Sequence, residues 1–266
     1  MKIQDLGEIH GDMLLFGGVY SNLHALDAFL DVANMNNIAP QNIICSGDVV
    51  AYCADARACC DKMRSLKSPV LAGNCEIQLA ANALDCGCGY DEGSECSLLS
   101  RGWYAHATDQ VSTENKSWMG GLPDRILFIH NTKKYVVIHG GALDVSRFIW
   151  PVTSDDVIIR EIELLAEQVG PIDHVIAGHS GIPMQRIVKG VQWTNSGAIG
   201  MPSHNGKPQT HYALLGKNGI EIKELEYNFT AASIAMEQVG LVQGYHETLK
   251  TGYWPSEDTL PSEMHL

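Results

Sequence analysis

Four residues of this sequence share a placement suited to holding a cation. Asp48, Asn74, His139 and His179 each stand where a short apolar run gives out, in NIICSGD (42–48), PVLAGN (69–74), KYVVIHGG (134–141) and DHVIAGHS (173–180). Two oxygen donors and two imidazoles form a set that can enclose one divalent transition ion, Mn²⁺, Fe²⁺ or Zn²⁺. Each residue alone says little, because Gly-Asp and Gly-Asn are ordinary turns and a single histidine usually belongs to a core or a surface. Their common position at successive strand ends is the signal.

The elements that must place them read as an α/β protein. MLLFGG (13–18), NIICSGD and PVLAGN are short apolar strands, and NLHALDAFLDVANM (22–35) and DARACCDKMRSL (55–66) carry helical spacing between them. Strands alternating with helices predict a parallel sheet whose ligands gather beyond the strands' C-terminal ends. RILFIH (125–130) and KYVVIHGG form a hairpin, and DDVIIREIELLAEQVG (155–170) is a helix. QRIV, VQWTNSG, HYALLG and IEIKELEY follow as short antiparallel strands. Residues 75–124 break the rhythm and read as an insertion capping the sheet edge. The stretch from about 230 reads as a weak helix, then a polar tail over about 252–266. With no repeat and no linker, residues 1–266 are taken as a single domain.

Composition narrows the function. Of 266 residues, 45% are hydrophobic and 18% charged, an ordinary globular balance. The net charge of −13 repels phosphate backbones and argues against nucleic acid as a partner. No apolar run is long enough for a membrane span, and MKIQDLGEIHGD lacks the features of a secretory signal, so a cytoplasmic protein is expected. The 8 cysteines are too sparse for a disulfide scaffold and, in a reducing compartment, would be core, metal-binding or reactive.

The blocks GGVYSNLHAL (17–26), CSGDVVAYCAD (45–55), LAGNCE (71–76), VIHGG (137–141), AGHSGIP (177–183) and TNSGAIGMP (194–202) resemble the calcineurin-like metallophosphoesterases. The likeness lies with the small bacterial branch that includes phosphodiesterases and diadenosine-polyphosphate or protein phosphatases. It runs from about residue 13 to about 225 and implies a two-sheet α/β sandwich with metals in a cleft at one sheet edge. It also implies a small phosphorylated substrate or a phosphoprotein.

The departures from the family pattern are as informative. Where the family has Asp-x-His-Gly-Asn, this chain has Gly18, Tyr20 and Asn22. Gly-Asn-His-Asp becomes Gly73-Asn74-Cys75-Glu76, and Gly-His-x-His becomes Gly178-His179-Ser180-Gly181. The resemblance thus implies that the second metal keeps Asp48, Asn74, His139 and His179, while the first keeps only Asp48. Glu8-Ile9-His10-Gly11-Asp12 imitates the missing motif but precedes its strand, and so is expected to be a loop at the wrong end of the sheet.

Cys75 and Glu76 replace the family's catalytic pair, and Tyr20 could donate a hydrogen bond to a phosphoryl oxygen. Asn22 and Arg147 are candidate substrate contacts. Cys75, Cys86, Cys88 and Cys96 admit several readings: a site rebuilt with thiolates, an independent four-cysteine centre, or small loop residues. The expected activity is a weak phosphoester hydrolysis favouring good leaving groups, because the lost histidine would have supplied general-acid catalysis. A non-catalytic binder of a phosphorylated ligand or partner, or a metal- or redox-responsive protein, are the alternatives.

Overall fold

A computed structural model describes residues 1–266. In chain order, β1 (Ile3–Glu8) and β2 (Met13–Phe16) precede α1 (Leu23–Met35), β3 (Ile43–Cys45) and α2 (Ala56–Leu66). Three helices follow, α3 (Asn74–Ala80), α4 (Glu95–Gln110) and α5 (Thr113–Gly121). Next come β4 (Arg125–His130), β5 (Lys133–Val137), α6 (Asp155–Val169) and β6 (His174–Ala177). The chain then forms β7 (Met184–Val188), β8 (Val191–Asn195), β9 (Thr210–Gly216) and β10 (Gly219–Leu225), and ends with α7 (Phe229–Gln238) and α8 (Tyr245–Thr251).

The strands make two sheets, ordered β1-β4-β5-β6-β8-β7 and β10-β9-β2-β3. They stack face to face, as the two-sheet sandwich requires. β2 shows why its sequence is apolar throughout: Met13 and Leu15 join the layer between the sheets, and Leu14 and Phe16 the layer beneath the helices. A strand buried on both faces loses polar alternation. α1, α2, α4 and α7 cover the smaller sheet, burying Phe29, Met63, Trp103 and Met236. α6 covers the larger sheet with Ile158, Ile162 and Leu165, packed in one cluster with Trp193.

Several elements differ from the sequence expectation. β1, unremarked in the sequence, pairs parallel with β4 at an edge of the larger sheet, and most of its residues are exposed. The third expected strand, PVLAGN, shrinks to one parallel bridge between Val70 and Cys45. Pro69 has no N–H to donate, and α3 begins at Asn74, so there is room for little more. Most of the 75–124 insertion joins the helical layer rather than a sheet edge, with Trp103, Ala107 and Met119 buried. Its first turn, with Cys75 and Glu76, and its loop, 81–94, reach the strand ends. The polar tail is anchored: Trp254 donates its N–H to His204 Nδ1 at 2.7 Å and its Nε1–H to Pro202 O at 2.8 Å. His204 Nε2 lies 2.8 Å from Glu257. Asn42 donates to the carbonyls of His10 and Asp12, which places the imitation motif before β2, away from the ligand end.

Leu15 tests the inter-sheet layer. It is buried among β-strand side chains of both sheets. Leu15→Ala is expected to cost about 2–5 kcal/mol in urea unfolding; a loss below about 1 kcal/mol would mean that the layer packs loosely.

Candidate metal centre

Four loops converge beyond the strand ends. After β3 the chain turns through Gly47 and Asp48 with positive φ of 102° and 57°. A side chain on Gly47 would sit 2.7 Å from Gly73 N and from His139 Nδ1, so that approach requires glycine. The turn is held by Glu76, whose carboxylate accepts N–H bonds from Asp48 and Val49 at 2.8 Å and from Gly73 at 2.9 Å. His139 follows β5 and donates from Nδ1 to Ser46 O at 2.7 Å, which leaves Nε2 as the atom facing the cluster. Asn74 opens α3 and donates from Nδ2 to Cys86 O at 2.9 Å, so its Oδ1 faces inward. His179 follows β6 in the left-handed region, φ 60°.

Around His139 Nε2 lie Asp48 Oδ2 at 3.2 Å, Asn74 Oδ1 at 3.1 Å and His179 Nδ1 at 3.2 Å. Donor atoms bound to one ion at about 2.1 Å stand about 3.0–3.4 Å apart, so this spacing fits a single divalent ion. The chemistry of the set agrees, because Asn74 Oδ1 and Asp48 Oδ2 have no proton to offer each other. The charges of the cluster act on one another. Burial pulls His139 down, but the Asp48 carboxylate more than offsets it and holds the imidazole above its ordinary range. Burial pushes Asp48 up, yet His139 keeps it below the usual carboxylate value. His179 is held well below an ordinary histidine, by burial first and by His139 second.

The Tyr20 ring lies between Gly18 and Gly181. A Cβ on Gly18 would strike that ring at 2.6 Å, and one on Gly181 would lie 3.4 Å from the Tyr20 hydroxyl. The ring packs edge-on against Tyr52, centroids 4.9 Å apart. Burial, and then Asp48, keep its phenol neutral.

The remaining candidates are placed as follows. Cys75 is buried, and its backbone N–H points at Asp48 Oδ1 at 3.4 Å. Burial and the Asp48 and Glu76 carboxylates push its thiol well up, which removes the thiolate and leaves a poor acid. Glu76 is pushed up to about 7 by burial and by Asp48. Both its oxygens are occupied by backbone, so it positions the loop rather than a water. Asn22 caps α1, accepting from Ala25 N–H at 3.1 Å and donating to Gly200 O at 3.0 Å, and its side chain is spent on the scaffold. Arg147 pairs with buried Glu161 at 3.2 Å and braces the loop after β5, outside the cavity. Cys86 and Cys88 are joined to each other by a disulfide, and Cys96 is a free thiol lining the cavity, so no four-cysteine centre forms.

A narrow cavity of about 50 Å³ adjoins His179. Its walls include Tyr20, Tyr52, Phe148, Tyr245 and, from the C-terminal stretch, Trp254. Phe148 stacks on His179 with centroids 4.3 Å apart. Sequence reasoning missed Phe148 and Trp254. An aromatic run inside a loop, FIW at 148–150, is the only signal for the first, and nothing marks the second.

Comparison with known proteins adds to this geometry. A family model described as the calcineurin-like phosphoesterase superfamily domain matches residues 1–218. An uncharacterized protein of Methanocaldococcus jannaschii is 24% identical over 234 residues, covering 80% of this chain and 87% of the relative. A metallophosphoesterase structure from Sphaerobacter thermophilus has a TM-score of 0.70 at 20% identity, covering 92% of this chain and all 100% of its own. A hypothetical protein from Pyrococcus horikoshii gives a TM-score of 0.70 at 13% identity, covering 92% and 98%. At these identities the structural likeness shows the fold.

The Glu76 anchor yields a prediction. Glu76→Gln keeps the shape but exchanges one acceptor oxygen for an amide that faces N–H donors. The variant is expected to lose about 1–3 kcal/mol of stability in denaturant unfolding. Unchanged stability would show that the three backbone bonds do not hold the Asp48 turn.

Proposed function

Because the chain belongs to the calcineurin-like phosphoesterase superfamily, we propose that it is a phosphoester hydrolase working with one divalent ion, held by Asp48, Asn74, His139 and His179. The observation that carries this reading is that Asp48 Oδ2, Asn74 Oδ1 and His179 Nδ1 lie 3.2, 3.1 and 3.2 Å from His139 Nε2. A divalent cation so held supplies Lewis acidity to a phosphoryl group.

The chain's own residues set the limits of the reaction. The Tyr20 hydroxyl, kept as a neutral phenol, is a hydrogen-bond donor on the side where relatives of the two-metal kind hold their other ion. Nothing stands where a general acid would protonate the leaving group, because Cys75 is a buried thiol of raised pKa. Losing that function removes a rate factor of roughly 10²–10⁴. The reading is therefore a slow hydrolase of esters with good leaving groups.

The cavity is small beside the roughly 300–1,000 Å³ of ordinary ligand pockets. The substrate is thus a small phosphorylated molecule, or a phosphoprotein, that presents only its phosphorylated end. The acidic surface argues against nucleic acid. No helix is long and apolar enough to cross a membrane, and a cytoplasmic location is part of the proposal. The filled first-metal position favours one second reading, a protein that binds phosphorylated ligands without turning them over.

Elemental analysis of the purified protein is expected to find about one equivalent of Mn, Fe or Zn. Asp48→Ala and His139→Ala should each abolish it. With Mn²⁺ the wild type should release nitrophenol from p-nitrophenyl phosphate or its bis-ester, and both variants should fall about 100-fold or more. Ion uptake and stabilisation by inorganic phosphate without turnover would select the binding reading. No uptake of any of the three ions would overturn the hydrolase reading and leave a binding protein.

A further inference from the structure

The Cys86–Cys88 disulfide lies directly on the ion cluster. Asn74 Nδ2 donates to Cys86 O at 2.9 Å and lies 3.4 Å from Cys88 Sγ. Ser146 Oγ donates to Gly87 O, between the two cysteines. The loop bearing Ser146 also carries Phe148, whose ring stacks on His179. Tyr90, just beyond Cys88, stacks on Phe148 with centroids 6.4 Å apart and shares a 2.9 Å hydrogen bond with Tyr52. One short turn therefore touches Asn74 directly and His179 through one aromatic ring. Gly87 and Gly89 have φ of 58° and 77°, a conformation that other residues adopt only under strain.

A bridge between residues two apart closes so short a loop that it removes little entropy from the unfolded chain. It is a poor staple for the fold, and its constraint is local. The other six cysteines are buried free thiols. Burial pushes up those of Cys45, Cys53, Cys59, Cys60 and Cys75, which makes them weak competitors in exchange. The flanking residues Leu84, Asp85 and Gly89 are exposed, so the turn sits at the surface while its sulfurs face inward. In a reducing compartment, a bridge of this kind belongs to the transient, redox-sensing class.

We infer that Cys86–Cys88 is a redox couple that sets the affinity of the ion site: the disulfide holds Cys86 O against Asn74 and keeps Oδ1 turned inward, and reduction frees the turn. The inference rests on the one-ion reading above. The step is a thiol–disulfide exchange with a small dithiol. One dithiol sulfur attacks a bridge sulfur, breaking the Cys86–Cys88 bond. The second dithiol sulfur then displaces the cysteine from the mixed disulfide. Two electrons and two protons pass from the dithiol, which leaves as its own disulfide, to the two cysteine thiols.

The test uses the full chain in two states, oxidised with a small disulfide or reduced with dithiothreitol, each freed of reagent without air. Alkylation under denaturing conditions followed by mass measurement should count six thiols in the first and eight in the second. Mn²⁺ titration should give a dissociation constant about tenfold or more weaker for the reduced protein, the size of effect seen when a ligand's supporting contact is lost. Cys86→Ser/Cys88→Ser should match the reduced protein and ignore reductant. If that variant does not fold, the two wild-type states still decide. Equal affinities in both states would overturn the inference, as would eight thiols after oxidation. Mn²⁺ binding in neither state, with the bridge formed, would sink the ion site itself and the redox coupling with it, a result distinct from equal affinities.

Discussion

The Glu76 carboxylate is completely buried, and its two oxygens bind the backbone of two different loops. Without it, the turn carrying Asp48 and the start of α3 carrying Asn74 would keep only the long Cys75 N–H contact to Asp48 Oδ1, at 3.4 Å. Both loops approach so closely that a side chain on Gly73 would collide with Asp48 Oδ1 at 2.3 Å. Burying an acid there is costly, and its raised pKa is the sign of that cost. The three N–H bonds offset it. The geometry of the ion cluster depends on this one side chain, although it does not face the cluster.

Tyr20 controls the space beside the cluster. Its ring lies against Gly18, where a Cβ would meet it at 2.6 Å, and its hydroxyl lies near Gly181. Substituting Gly18 alone would not open that space, since any side chain there meets Tyr20. Under the one-ion reading, a second ion would find no donor at either glycine and an aromatic ring between them. Each member of the cluster is fixed by its own backbone or side-chain partner.

Much of this was legible in the residues. The placement of Asp48, His139 and His179 could be read from the ends of β3, β5 and β6, whereas Asn74 was reached through an expected strand that is one bridge followed by a helix start. The two-sheet arrangement followed from the family resemblance; the spacing of apolar runs by itself pointed only to a parallel sheet. Roles decided by contacts were not legible. Asn22 looks like a polar residue near a cleft, and only the position of Gly200 shows that its amide is already used. Arg147 looks free until buried Glu161 is seen beside it. PVLAGN is apolar enough for a strand, but the proline at its start and the helix at its end leave one bridge. Cys86 and Cys88 carry no spacing signal that separates a bridge from a ligand pair, and the turn between them decides it. β1 escaped notice because an exposed edge strand has no apolar run to announce it.

The slot beside His179 is walled by residues far apart in sequence, Tyr20 at one extreme and Trp254 at the other. The strap that closes it is fastened through His204. Neither sheet is complete at His179: β8 pairs with β6, and β9 pairs with β2 on the side away from β3. Both of those strands, like His204 and Trp254, come later in the chain. A domain of this kind folds as a unit, so the donor loops and the walls of the slot take shape together, and whatever enters the cluster must pass the finished entrance.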